Sequence, residues 1–180
     1  MLPPLGLYDA ASSTMLAAIT VIPFLLGRKY LAHPCQQTML LGLLCLAGLL
    51  YSLPALYEVR MSPQLNRMIY GFFPHDWRQH IRGGGFRPVV FLEHGLRLGI
   101  FLTVCLLATL GSIRIREARD RWRLWLAALW LLATLVLSKN LGALMIATLI
   151  APVILLTGAR IQLLVAAALA LLVLLFPMSR

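Results

Sequence analysis

The sequence predicts an all-α protein, a polytopic transmembrane helical bundle of about 5–6 spans with an additional amphipathic helix at the membrane surface. Hydrophobic residues make up 61% of the 180 residues and charged residues 12%. In a typical soluble domain about half of the residues are apolar and about a quarter are charged. Several apolar runs approach the roughly 20 residues that cross a bilayer. One long polar segment, residues 58–97, interrupts these runs.

The predicted spans form a single transmembrane domain. They cover residues 10–27, 37–57, 89–113, 122–138, 141–157 and 161–176. The apolar run 124–157 would measure about 51 Å as one helix at 1.5 Å per residue, which is too long for one span. Ser138-Lys139-Asn140 interrupts this run and divides it into a hairpin of two short helices.

A basic loop, residues 58–88, separates the second and third predicted spans. Four of its apolar residues recur at i, i+3, i+4 and i+7, the spacing of one helical stripe. They are Leu65, Met68, Ile69 and Phe72. With Ser62-Pro63 as a start signal, this pattern indicates a helix over 63–72 that lies flat among lipid headgroups. A second short helix is predicted over 75–82, before three glycines.

Alternate connections between spans lie on opposite sides of the membrane. The connections on one side hold eight basic residues and those on the other side hold seven, so the positive-inside rule barely decides the orientation. The connection 114–123 holds five arginines in ten residues and is predicted to be cytoplasmic. The basic loop 58–88 is then extracytoplasmic, where five arginines are unexpected unless they bind an anion.

The arginines of the basic loop are the first candidate site. They are Arg60, Arg67, Arg78, Arg82 and Arg87. A guanidinium stays charged and presents a planar fork that matches phosphate oxygens. A diphosphate leaving group needs such a clamp as negative charge develops on it. The alternative is that these arginines contact lipid headgroups.

Glu93, His94 and Arg97 are the second candidate site. At helical spacing they share one face of the predicted third span, and ionisable groups inside a span are costly and usually functional. Glu93 is either a general base or the partner of Arg97 in an i, i+4 pair. His94 titrates near neutrality and is either an acid or base or the cap of a neighbouring helix.

Several other functions find little support in the sequence. His75 and His80 flank Asp76 at an i, i+5 spacing that does not align on a helical face, so no metal and no cofactor are expected. Nucleic-acid binding is disfavoured because membrane spans separate the arginines. A transporter is disfavoured because no inverted repeat is visible and only one span is charged.

Five short segments carry a resemblance to a known family. They are RMSPQL (60–65), YGF (70–72), RGGGFRPVVF (82–91), HGL (94–96) and SKNLGAL (138–144). These segments are similar to bacterial membrane proteins of the O-antigen ligase and O-antigen polymerase superfamily. RGGGFRPVVF is the most distinctive of them.

The resemblance implies a metal-independent glycosyltransferase of the bacterial inner membrane. Its substrate would be a saccharide linked to undecaprenyl diphosphate, used in lipopolysaccharide or exopolysaccharide assembly on the periplasmic face. Arg82 and Arg87, helped by Arg67 and Arg78, would hold the diphosphate. His94 or Glu93 would assist deprotonation of the acceptor hydroxyl.

The chain departs from that family in its length. Members have more spans and a large extracytoplasmic loop that supplies further arginines and a histidine. The 180 residues are therefore expected to be a fragment of a longer protein with an incomplete catalytic set. The alternative function is a non-enzymatic multi-pass membrane subunit whose basic loop binds anionic lipid or a partner protein. The sequence does not predict an oligomeric state.

Overall fold

The structure is a computed structural model that describes residues 6–72, 81–82, 85–92 and 94–175. In chain order its elements are α1 (Leu7–Tyr30), α2 (Pro34–Met61), α3 (Leu65–Tyr70), β1 (Ile81–Arg82), β2 (Gly85–Phe86), α4 (Gly95–Ile115), α5 (Ala118–Leu137), α6 (Leu141–Leu156) and α7 (Ala159–Leu175). The predicted all-α fold is confirmed. The only β-structure in these ranges is a hairpin of two strands with two residues each.

Three helices in the described ranges are long and apolar enough to cross a membrane. They cover Asp9–Tyr30, Pro34–Met61 and Gly95–Ile115. α6 and α7 are also apolar but hold only 16 and 17 residues. The helices therefore support a membrane protein, and the number of spans beyond three stays a prediction.

The chain forms two compact units, residues 1–40 and 41–180. The described part of the first unit holds α1 and the first turns of α2. None of the side chains described for α1 is buried. Because α1 is strongly apolar and its side chains are exposed, lipid or another apolar partner is needed to cover this helix.

The second unit is built around α4, which packs against both α5 and α6. Side chains from these helices form one apolar core, with Leu98, Leu102, Leu131 and Leu135 fully buried. Polar side chains also join the helices: the Oγ1 of Thr103 in α4 donates to the Ala143 carbonyl of α6 at 3.2 Å. Such interhelical hydrogen bonds are typical of helices that pack within a bilayer.

A small residue lets α2 approach this bundle. A methyl carbon added at Gly48 would lie 2.6 Å from Cβ of Cys105 in α4. The indole Nε1 of Trp130 in α5 donates to Oγ of Ser52 in α2 at 2.7 Å. α2 is therefore held to α4 by close backbone packing and to α5 by a hydrogen bond.

Two local predictions need correction. The helix of the third predicted span begins at Gly95, because the backbone of 87–90 is not helical and His94 is extended (φ −133°, ψ 135°). The end of the helix predicted over 75–82 is instead a strand, in which Ile81 pairs with Phe86 and Arg82 with Gly85. The two glycines between these strands in the sequence favour a two-residue hairpin turn. Residues 75–80 lie outside the described ranges.

The short helix predicted over 63–72 is present as α3. It ends at Gly71, whose φ of 76° is a left-handed helix cap. Met68, Ile69 and Phe72 of the apolar stripe are each at least 60% exposed. An exposed apolar face on so short a helix is suited to the membrane surface.

Candidate functional site

A buried carboxylate organises the segment that leads into α4. Glu58, near the end of α2, is completely buried. Its Oε2 accepts hydrogen bonds from the backbone N–H groups of Val89 at 2.8 Å and Val90 at 2.7 Å. Its Oε1 accepts from the Leu65 N–H at 3.1 Å. These charge-assisted bonds offset the desolvation of the carboxylate and fix both the start of α3 and residues 89–90 against α2.

Val90 is held in a strained conformation by the same contacts. Its φ of 53° is in the left-handed region, which a β-branched residue rarely adopts and which costs about 1–3 kcal/mol. The residue is fully buried, and its carbonyl accepts from Nδ2 of Asn66 at 3.0 Å. Glu58 and Asn66 together therefore satisfy both backbone groups of Val90 and hold this turn.

Arg87 lies against the first turn of α4. Arg87 is only 7% exposed. A methyl carbon added at Gly95 would lie 2.7 Å from Nε and 2.9 Å from Cδ of Arg87. Gly95 therefore provides the space through which the arginine side chain crosses the start of the helix.

The turn between α5 and α6 reaches the same place. Nδ2 of Asn140 donates to the Gly95 carbonyl at 3.0 Å, and a methyl carbon at Gly99 would overlap the Asn140 side chain. Nζ of Lys139 lies 2.5 Å from the position of a methyl carbon added at Gly85. The side chains of Lys139 and Asn140 therefore close over the segment from β2 to α4.

The start of α4 is an electropositive environment. The amino end of a helix carries a partial positive charge. In this first turn the N–H of Leu96 donates to Nδ1 of His94, and those of Arg97 and Leu98 donate to the His94 carbonyl. Arg87 packs directly against this end, and Lys139 reaches the strand two residues before Arg87. Two basic residues, Arg87 and Lys139, therefore lie near the start of α4.

His94 is the N-cap of α4. Its Nδ1 accepts a hydrogen bond from the Leu96 N–H at 3.1 Å. His94 therefore precedes the helix that contains Arg97, and these two residues do not share a helical face as predicted. The capping bond occupies Nδ1 as an acceptor, so proton exchange by this imidazole is left to Nε2.

The other predicted site residues are placed differently. Arg67 lies exposed on α3. The backbone of Arg82 pairs with Gly85 in the hairpin, next to the Lys139 side chain. Glu93 and Arg78, and the side chain of Arg82, lie outside the described part of the chain. The structure thus places Arg87 and His94 each at the start of α4, and leaves Arg67 on the surface.

Aromatic side chains form the apolar border of the site. The rings of Tyr51 and Phe91 meet edge to face at 6.5 Å, and those of Tyr70 and Phe91 at 6.0 Å. The Tyr51 hydroxyl also accepts from the Phe91 N–H at 3.2 Å. Tyrosines and exposed rings beside a basic loop are typical of the membrane–water interface.

Four residues of the site were not predicted from sequence. Glu58, Asn66, Lys139 and Asn140 were assigned to a loop, a helix surface or a turn. The available signal was their position beside long apolar runs, where a polar side chain needs a partner. In the described ranges, no group of three or more histidine, cysteine or acidic residues is arranged to hold a metal.

Comparisons with protein-family models, curated proteins and solved structures gave no match to this chain. The fold and the composition define its class: an all-α protein with helices suited to a membrane. Within that class, the distinguishing feature is a loop that carries Arg87 and is fixed by Glu58 at the start of α4.

Proposed function

We propose that this chain is an inner-membrane glycan transferase-like protein that binds saccharides linked to undecaprenyl diphosphate. The reaction would serve lipopolysaccharide or exopolysaccharide assembly. The observation that carries the proposal is that Arg87 and Lys139 both reach the segment leading into α4. The resemblance of RGGGFRPVVF to the O-antigen ligase and polymerase superfamily supplies the substrate class.

The diphosphate would lie at the start of α4. Arg87 offers a planar fork of donors and Lys139 a compact charge, while the amino end of the helix adds a partial positive charge. Arg82, Arg67 and Arg78 belong to the same basic loop, and we include them as further cations that hold the diphosphate. Because Glu58 fixes residues 89–90, Arg87 is held in place before the ligand arrives.

The proposed reaction is a transfer between oxygens. The acceptor hydroxyl attacks the anomeric carbon of the donor saccharide, and the bond to undecaprenyl diphosphate breaks. Fixed cations stabilise the negative charge that develops on the leaving diphosphate. The hydroxyl proton passes to Nε2 of His94 or to Glu93, and no metal is required.

The placement of charges supports a multi-pass arrangement. Lys139 follows α5 and contacts Gly85 before α4, so these two connections lie at one end of the α4–α5 pair. At the other end, Nη1 of Arg114 donates to the Ile154 carbonyl at 2.7 Å. This is the arrangement that alternating spans require, and we assign the end with Gly85 to the extracytoplasmic side.

The alternative proposal is a non-enzymatic membrane subunit that binds anionic lipid or a partner protein. It is favoured by α7, in which no described side chain is buried. An apolar helix with every face exposed needs lipid or another protein around it. The two proposals differ in what the loop recognises.

The test is binding of undecaprenyl diphosphate to the purified chain in nanodiscs of phosphatidylcholine. We expect Lys139→Gln to weaken binding by about tenfold, the loss of one charge-assisted contact. Arg160→Gln, which removes a charge at the start of α7, is the matched control and should leave binding unchanged. Equal affinity for undecaprenyl diphosphate and for phosphatidylglycerol would instead support the non-enzymatic subunit.

A further inference from the structure

An open apolar groove runs between α4, α5 and α6, at the end of the bundle away from Arg87. Its volume is about 360 Å³, within the range of pockets that hold small ligands. The walls include Leu106 and Leu110 of α4, Trp125 and Leu129 of α5, and Leu155 of α6. The groove is therefore an apolar binding surface formed by three helices.

Small residues create the groove. Ala128 and Ala147 are buried at its base, and Ala151 lines it from α6. Helices that meet through alanines on this face leave a channel that larger side chains would have filled. Within a bilayer such a channel is accessible to lipid from the side.

Two arginines stand one helical turn beyond the apolar walls. Arg114 follows Leu110 by four residues on α4, and Arg121 precedes Trp125 by four on α5. Residues four apart lie on the same face of a helix. The α4 wall and the α5 wall are therefore each followed by an arginine, and both arginines lie at the same end of the groove.

Both guanidinium groups are anchored to backbone. Nη1 of Arg114 donates to the carbonyl groups of Ile154, at 2.7 Å, and Thr157. Nε of Arg121 donates to the Arg116 carbonyl at 2.9 Å. These bonds use one nitrogen of each group, and a guanidinium carries five N–H donors over three nitrogens. Both arginines are exposed and can contact a further acceptor.

We propose that this α4–α5–α6 groove binds one anionic phospholipid, with an acyl chain against the apolar walls and the phosphate at Arg114 and Arg121. An apolar channel that ends in two cations matches an amphiphile with a long tail and a negative head. A helix of a partner protein is about 10 Å across and has no need of cations at its end. The site lies at the opposite end of α4 from Gly95, so it does not depend on the proposed transferase function.

Quenching of Trp125 by brominated lipid measures occupancy of the groove. The other tryptophans are replaced by phenylalanine: Trp77, Trp122 and Trp130. This full-length variant is reconstituted in phosphatidylcholine vesicles containing brominated phosphatidylglycerol, or brominated phosphatidylcholine at the same mole fraction. We expect the anionic lipid to associate with the Trp125 site about 25-fold more strongly, the combined effect of two basic residues that each contribute roughly fivefold near a phosphate.

Arg121→Gln should reduce this preference about fivefold and leave the contribution of Arg114. The matched control is Arg123→Gln, which removes an exposed arginine from the same helix but off the groove face. An equal loss in both variants would indicate general surface charge and overturn the proposal. Equal quenching by the two lipids before any arginine is changed would also overturn it.

Ala151→Phe fills the groove while leaving both arginines in place. The preference for phosphatidylglycerol should then fall to near one, although Trp125 still faces the bilayer. A preference that survives Ala151→Phe would place the lipid elsewhere and contradict the proposal. Absence of lipid preference together with self-association that Ala151→Phe abolishes would assign the groove to a second copy of the chain instead.

Discussion

The Glu58 carboxylate accepts the backbone N–H of Val89 at 2.8 Å, across 31 residues of sequence. The same oxygen accepts from Val90, whose left-handed φ would otherwise be unfavourable. The contact closes the basic loop onto the end of α2. It also sets the position from which Arg87 reaches Gly95.

Loss of the Glu58 carboxylate is expected to destabilise the protein strongly. Glu58→Ala leaves three N–H groups without their acceptor, two of them on buried residues, at about 1–3 kcal/mol for each unsatisfied group. We expect the free energy of unfolding to fall by roughly 3–5 kcal/mol, measured by denaturant titration in detergent. Glu58→Gln keeps one acceptor oxygen, so its free energy of unfolding should fall by less than that of Glu58→Ala.

Glu117→Gln is the control for the two Glu58 variants. Glu117 precedes α5, is exposed, and makes no side-chain capping bond. The free energy of unfolding of this variant should match that of the parent. A Glu58→Ala variant as stable as Glu117→Gln would show that the loop does not depend on the carboxylate.

Gly95→Ala is expected to displace Arg87. The added carbon would lie under 3.0 Å from Nε and Cδ of Arg87, and a crowded buried site typically loses about 1–3 kcal/mol. We expect lower thermal stability and weaker binding of undecaprenyl diphosphate together. Gly142→Ala is the control, because a carbon there meets no atom within 4 Å. A helical Gly→Ala change with free space is neutral or stabilising, so equal effects of the two variants would contradict this account.

Gly99 and Asn140 are expected to be energetically coupled. Gly99→Ala places a carbon onto the Asn140 side chain, whereas Asn140→Ala removes both that obstacle and the bond to the Gly95 carbonyl. In a double-mutant cycle the double variant should be more stable than the sum of the single losses predicts, by about 0.5–3 kcal/mol. Additive losses would mean that the two residues are not in contact.

Gly85→Ala separates binding from stability. The added carbon meets the end of the Lys139 side chain, with Nζ at 2.5 Å and Cε at 3.3 Å, and a long side chain moves aside at little cost. We expect the melting temperature to remain near that of the parent while affinity for undecaprenyl diphosphate falls about as in Lys139→Gln. Unchanged affinity in Gly85→Ala, with binding still lost in Lys139→Gln, would show that the contact between these residues does not position the ammonium group.

Local patterns in the sequence were sufficient for the helices. The apolar runs correspond to α1, α2 and α4–α7 to within a few residues except at the start of α4. The stripe from Leu65 to Phe72 correctly indicated α3. Helical periodicity and span length depend on neighbouring residues alone, so these features are readable without the fold. The same is true of Arg87 as a candidate, since its residue type suits a phosphate wherever it lies.

Only the tertiary structure decided how the site is assembled. It shows the start of α4 at Gly95 because Glu58 holds residues 89–90 in a non-helical turn, and it makes His94 a cap. It also brings Lys139 to Gly85, although these residues lie in connections on either side of α4 and α5 in the sequence. Side-chain contacts between distant segments leave no periodic trace in the chain. The sequence by itself therefore determined the helices and the chemistry of the basic loop, and packing around α4 determined which polar groups meet.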